Sequence, residues 1–203
     1  MTSVDQTRKR RKIRAVLASG LVLGVGAAIT LAAWSDTVWG SSTFGTTGSD
    51  FDIQGSFDNG TSWDDYLSPA TAGTMTFAQQ ADALVPGEPV YQLVGLQEVE
   101  NNFGADIELS KDNADGSGLA NLVTVAVADA GAGETAPACD ASADFGTGVT
   151  IGAASTSMLS TTVEANGFRW VCFSAELAAD ATVEAGGLES QPILWEFAAT
   201  STE

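Results

Sequence analysis

The sequence predicts an all-β domain, a jelly-roll-like two-sheet sandwich, carried behind an N-terminal export-leader helix. Three observations predict it. Six of the eight basic residues stand directly ahead of a long uncharged stretch near the N-terminus. Beyond that stretch, short runs alternate apolar and polar residues between loops rich in Ala, Gly, Asp, Ser and Thr, the period of half-buried strands. The chain also holds two cysteines and no histidine, a composition suited to a stapled exported domain.

The leader comes first. Arg8, Lys9, Arg10, Arg11, Lys12 and Arg14 form a cationic flank (8–14), and Ala15 to Ala33 carries no charge. A cationic flank, an apolar helix and a small-residue exit are the three parts of a signal peptide, expected over 1–33. The flank stays on the anionic cytoplasmic side while the apolar stretch enters the bilayer. As a helix, residues 15–33 reach roughly 28 Å, so their length also suits an uncleaved membrane anchor. Apart from this leader, no contact with a membrane is expected.

Residues 34–50 read as an N-terminal arm, and 51–203 as the sandwich domain. Past residue 33 only Lys111 and Arg169 are cationic, against 25 carboxylates, a net charge of about −23. Nucleic acid and anionic lipid need clustered Lys and Arg, so both are excluded as partners. Such a surface suits a salty exterior, where repulsion fades beyond about 8 Å.

Strands follow in order. Phe51, Ile53 and Phe57 alternate with polar neighbours, and Asp58-Asn59-Gly60 then supplies a tight turn, because Asn-Gly accepts positive φ. Trp63 to Leu67 has room for one helical turn. Met75 and Phe77 mark a further short strand. Pro86-Gly87-Glu88-Pro89 stops any element and introduces a long run from Val90 to Val99. Ile107 and Leu109, then Val123, Val125 and Val127, give two more strands. Phe168 to Leu177 is apolar on both faces and should lie centrally, covered on each side. Ala175 to Ala181 offers a second helical turn, and Ile193 to Phe197 the last strand. Eight to ten short strands at this spacing suit a sandwich or jelly roll.

Cys139 and Cys172 are expected to form a disulfide that pins the central strand. Closing that loop contributes about 4 kcal/mol in the chain-entropy model.

At Ile29 to Phe44 the chain reads ITLAAWSDTVWGSSTF. An alanine pair followed by an aromatic, a small polar residue and aspartate resembles the alternate, SipW-type signal-peptide junction. That junction belongs to the TasA and camelysin group of Gram-positive bacteria and to similar exported proteins of actinobacteria. Leu84-Val85-Pro86-Gly87-Glu88 is similar to that family's turn, and Asn101-Asn102-Phe103 with Ala105 to Leu109 to the strand hairpin after it. The resemblance implies cleavage between Ala33 and Trp34 by a SipW-type signal peptidase. Leu31 departs from the ordinary small-residue rule at that site. The resemblance further implies a secreted, cell-surface jelly roll. The best-known member builds extracellular-matrix fibres in which the mature N-terminal segment completes the sheet of the next subunit.

The residues offer a route to that behaviour. A cut after Ala33 leaves Trp34, Trp39 and Phe44 on an extended arm set among Ser, Thr and Gly. Each aromatic gains about 1.5–3 kcal/mol on burial. The arm can pack on its own sandwich or add a strand to a neighbour's sheet edge, and head-to-tail donation builds an open filament. The expected function is therefore a matrix protein that self-assembles. The alternatives are a monomeric surface module for carbohydrate or protein, and a form anchored by its leader.

No enzyme is expected. Camelysin-like relatives have been described as metalloproteases, but without histidine no H-E-x-x-H site, Ser-His-Asp triad or Cys-His dyad exists. Acids alone could serve a paired-carboxylate hydrolase, a remote third reading. No cofactor is expected. Calcium is the one ion the acidic loops suit: Lys111 to Gly118, KDNADGSG, approaches an EF-hand loop, with Lys111 standing where an acid must be. Asp64-Asp65 and Asp140 with Asp144 are further acidic turns.

Overall fold

The computed structural model describes residues 51–77, 84–182 and 188–202, together with the backbone of 35–39. The chain divides into two units, Met1–Ala32 and Ala33–Glu203, and the described residues belong to the second. The leader, the Ala33–Trp34 junction and Phe44 lie outside the described residues.

Among the described residues, nine strands form two antiparallel sheets. They are β1 (Ser35–Trp39), β2 (Ile53–Ser56), β3 (Val90–Glu98), β4 (Gly104–Lys111), β5 (Val123–Ala132), β6 (Val149–Thr150), β7 (Thr156–Val163), β8 (Phe168–Leu177) and β9 (Trp195–Thr202). One sheet has the order β1-β9-β4-β7 and the other β2-β3-β8-β5-β6. The pairs β1–β9, β3–β8, β4–β7 and β5–β6 are those of one long antiparallel ribbon rolled onto itself. That is a jelly roll, with β2 added at the margin of the five-stranded sheet.

Alternation explains the core. In β4, Ala105, Ile107, Leu109 and Lys111 are buried while Asp106 and Glu108 are exposed. Between the sheets, Ile53, Val94, Leu96, Val171 and Phe173 meet Ile107, Phe197 and Trp195. Phe173 packs edge-on against both Trp195 and Phe197.

As expected, β8 is central and covered on both faces. Val171, Phe173, Ala175 and Leu177 enter the main core, whereas Trp170 and Cys172 belong to a second, smaller cluster on the outer face. Its lid is the loop after β5. The Cys139–Cys172 disulfide, with Cα atoms 5.4 Å apart, ties that loop down. Phe145 stacks on Tyr91, and the Trp170 indole donates to the Gly133 carbonyl at 2.7 Å. A side chain at Gly95 would drive its Cβ to 2.7 Å from both Trp63 and Trp170, so only glycine lets the two indoles cross the strand there.

The Asp58-Asn59-Gly60 turn forms as expected, with φ of 59° at Asn59 and 82° at Gly60. The returning chain pairs only through Asp64 with Gly55.

Five expectations of detail are corrected. Met75 and Phe77 form no strand; Gly73 lies flat against the Phe57 ring, and the segment covers the core edge instead. Trp63 to Leu67 is not helical, and a short 3₁₀ turn falls at Pro69–Thr71. Ala175 to Ala181 forms no helix because β8 runs through Leu177. Asn101 to Leu109 does not make a hairpin with β3: the chain crosses to the other sheet, as two strands buried on opposing walls require. The last strand begins at Trp195 and runs on to Thr202.

Candidate functional site

Strand β1 lies at the margin of the four-stranded sheet, and its backbone pairs only with β9. Ser35 stands opposite Thr200, Thr37 opposite Ala198 and Trp39 opposite Glu196. Trp39 of the arm thus has a defined register position, while Trp34 and Phe44 fall outside the described residues. Between Trp39 and β2 lie residues 40–52, rich in Gly, Ser and Thr.

β9 offers β1 an alternating surface. Trp195, Phe197 and Ala199 are buried, and Glu196, Ala198 and Thr200 are less so. Burial, with the carboxylates of Asp112 and Glu108 nearby, pushes Glu196 above the usual carboxylate range. The β9 strand therefore carries, at the register position opposite Trp39, an acid whose charged form is disfavoured.

Beside the start of β9 the sandwich opens into a cleft of about 710 Å³. Val123 and Val125 of β5, Ala175 and Leu177 of β8 and Trp195 of β9 form its floor, so it penetrates between the sheets. Segments 69–77 and 188–194 form its sides.

The loop 111–118 is held by an internal cation. Lys111 is fully buried at the end of β4. Its ammonium donates to the carbonyls of Asn113 and Ala153, and to that of Ile151 at 3.2 Å. All three of its donors are thus used. Burial lowers its pKa, against the opposing pull of Asp112 and Asp115. The other polar groups of the loop also turn to the protein. Asn113 Oδ1 accepts from the Leu194 amide, and Asp115 accepts from the Gln191 amide and the Ser117 hydroxyl. Where an EF-hand loop surrounds a calcium ion, here the Lys111 ammonium is shared between one carbonyl of the loop, that of Asn113, and two of the facing segment, those of Ile151 and Ala153.

The other acidic turns are likewise internally bonded. Asp65 accepts from Gln54 Nε2 and Asp64 from the Asp65 amide. Asp140 accepts from the amide and hydroxyl of Ser142, which hold its carboxyl below the usual range. Among the described residues no three Cys, Asp or Glu gather as a metal-ligand group.

Two buried charges were not foreseen from sequence. One is the caged Lys111, whose signal was the misplaced lysine itself. The other is Glu98, fully buried at the end of β3. Its carboxylate accepts from the amides of Glu100, Asn101 and Asn166 at 2.9, 2.9 and 2.7 Å. No family model, no curated protein and no solved structure matches the chain.

Proposed function

We propose that this is a secreted structural protein of the cell surface or extracellular matrix that assembles by exchanging its first strand between copies. One observation carries the reading: β1 is a marginal strand whose backbone ladder is with β9 alone among the described strands, and its link to β2 is glycine- and serine-rich. Removing β1 exposes the β9 edge, and an identical strand from a neighbour restores the same ladder in the same register. Donation repeated head to tail gives an open filament. The Cys139–Cys172 disulfide supports an oxidising destination. Export through a SipW-type signal peptidase with cleavage after Ala33 belongs to the same proposal, as does the lack of enzymatic activity.

The competing reading is a monomeric surface module, favoured by the seating of β1 within its own chain. Paired cysteines at Thr37 and Ala198, which stand opposite one another, separate the two. Strand exchange predicts disulfide-linked ladders on a denaturing gel after oxidation at high protein concentration. Internally linked monomers alone, at every concentration tried, would remove the fibre reading and leave the module. N-terminal sequencing of protein from culture medium tests the junction, with Trp34 expected as the first residue.

A further inference from the structure

We propose that the cleft at the β9 start is a binding site for a single-chain amphiphile with a long alkyl or isoprenoid tail and an uncharged or cationic head. The cleft is within the size range of small-ligand pockets, and both sheets contribute core residues to its floor. The described residues cover its apolar lining incompletely. Met75, Phe77, Leu84, Leu119 and Ile193 pack on the core yet stay only partly buried. Of the three large hydrophobics most exposed among the described residues, Leu188 lines the cleft at 43% and Val85, at 56%, adjoins the lining residue Leu84. A concave surface lined by partly exposed apolar side chains marks a ligand groove.

Charge selects the head group. Glu189 is the acidic residue that the described lining contains. Neither cation of the domain can neutralise an anion there. Lys111 spends its donors on three carbonyls, and Arg169 donates to the Thr162 carbonyl and faces Asp129 at 3.4 Å. A carboxylate or phosphate head would meet Glu189 and a strongly negative surface without a counter-charge. An alcohol, amide or ammonium meets no such penalty.

Displacement of a neutral fluorophore from the full chain by monoacylglycerols of increasing length tests the proposal. Affinity is expected to rise about fourfold per added methylene, the equivalent of about 0.8 kcal/mol each, until the cleft is filled. A fatty acid matched in length should bind at least tenfold more weakly at pH 7.5. Glu189→Gln should narrow that gap. Ala175→Phe, which places a ring on the floor, should weaken binding at least tenfold with the disulfide and melting transition retained. Ile193→Trp, at a half-buried site, serves if Ala175→Phe does not fold. Comparing variants in one background cancels any binding by residues 15–33. Affinity that ignores chain length, or survives both substitutions, overturns the proposal. So does loss of self-association in Ala175→Phe without a change in lipid binding, which would assign the cleft to a second copy of the chain.

Discussion

The two ends of the sandwich each hold one fully buried charged side chain, Glu98 and Lys111, and they satisfy it in opposite ways. At the end where β3 finishes, Glu98 collects three backbone amides and ties the crossover into β4 to the β7–β8 turn. At the cleft end, Lys111 gives its three protons to backbone carbonyls and ties its own loop to residues 151 and 153. Among the described residues neither forms a salt bridge, although Asp112 and Asp115 act on Lys111 through space. Both replace a counter-ion with oriented peptide dipoles, which satisfies the buried group without a second desolvated ion. The difference lies in what is left when the side chain is lost. An amide has one proton to place, whereas a carbonyl keeps a second lone pair for another donor.

That asymmetry orders the expected effects. Glu98→Ala removes the shared acceptor of three part-buried amides and should cost about 4 kcal/mol in urea unfolding, at about 1.5–3 kcal/mol for each hydrogen bond to a charged group less rehydration of the exposed turns. Glu98→Gln, which keeps one accepting oxygen, should cost about half as much. Lys111→Met leaves carbonyls rather than amides and should cost about 2 kcal/mol. Equal losses at the two ends would show that the kind of backbone group does not matter.

Lys111 also gives its end a pH signature. Its folded pKa lies below the ordinary lysine value of about 10.4. Between those two values the unfolded chain holds the extra proton, so stability rises with pH across that window. Lys111→Met should abolish the rise in melting temperature measured from neutral pH towards 10.4.

Asn166 sharpens the other end. It sits at φ 53° and donates its amide to Glu98. Asn166→Ala should cost about 1 kcal/mol through the left-handed backbone, while Asn166→Gly should cost little. A smaller effect still is expected at Glu196, whose carboxyl is raised by burial, Asp112 and Glu108. A raised acid penalises the fold above its folded pKa and ceases to do so below its unfolded one. Glu196→Gln should therefore raise the melting temperature at pH 7 and leave it unchanged near pH 3.

Much of this architecture was legible in the chain. Alternation located β3, β5 and β8 because each buries a continuous apolar face, and β8 was recognisable as central from apolar residues on both faces. The cysteine pair and the Asn-Gly turn were legible because their chemistry is local. Strand β7 was not singled out: Thr156 to Val163 reads TSMLSTTV, and a marginal strand rich in Ser and Thr carries little contrast between faces. Met75 and Phe77 have a strand's spacing but no partner strand, since Gly73 and the Phe57 ring direct that segment along the sheet edge. The cleft had no local signal, because the separation of two sheets is set by residues as distant as Phe57 and Trp195. The charge cages depend on contacts of the same reach: Lys111 meets carbonyls 40 and 42 positions away, and Glu98 an amide 68 positions away.

Ser35 faces Thr200 across the β1–β9 ladder, so the polypeptide enters its first strand and leaves its last at the same corner. A short turn spliced there, with the chain opened between Trp39 and Ile53, yields a circular permutant in which β1 simply follows β9. The permutant keeps every side chain of the body and of the strand. Tethered by a few residues, β1 competes for its seat at an effective concentration in the millimolar range or above. Chain connectivity alone would then hold the molecule as a solitary body, and the strand exchange proposed above would be suppressed.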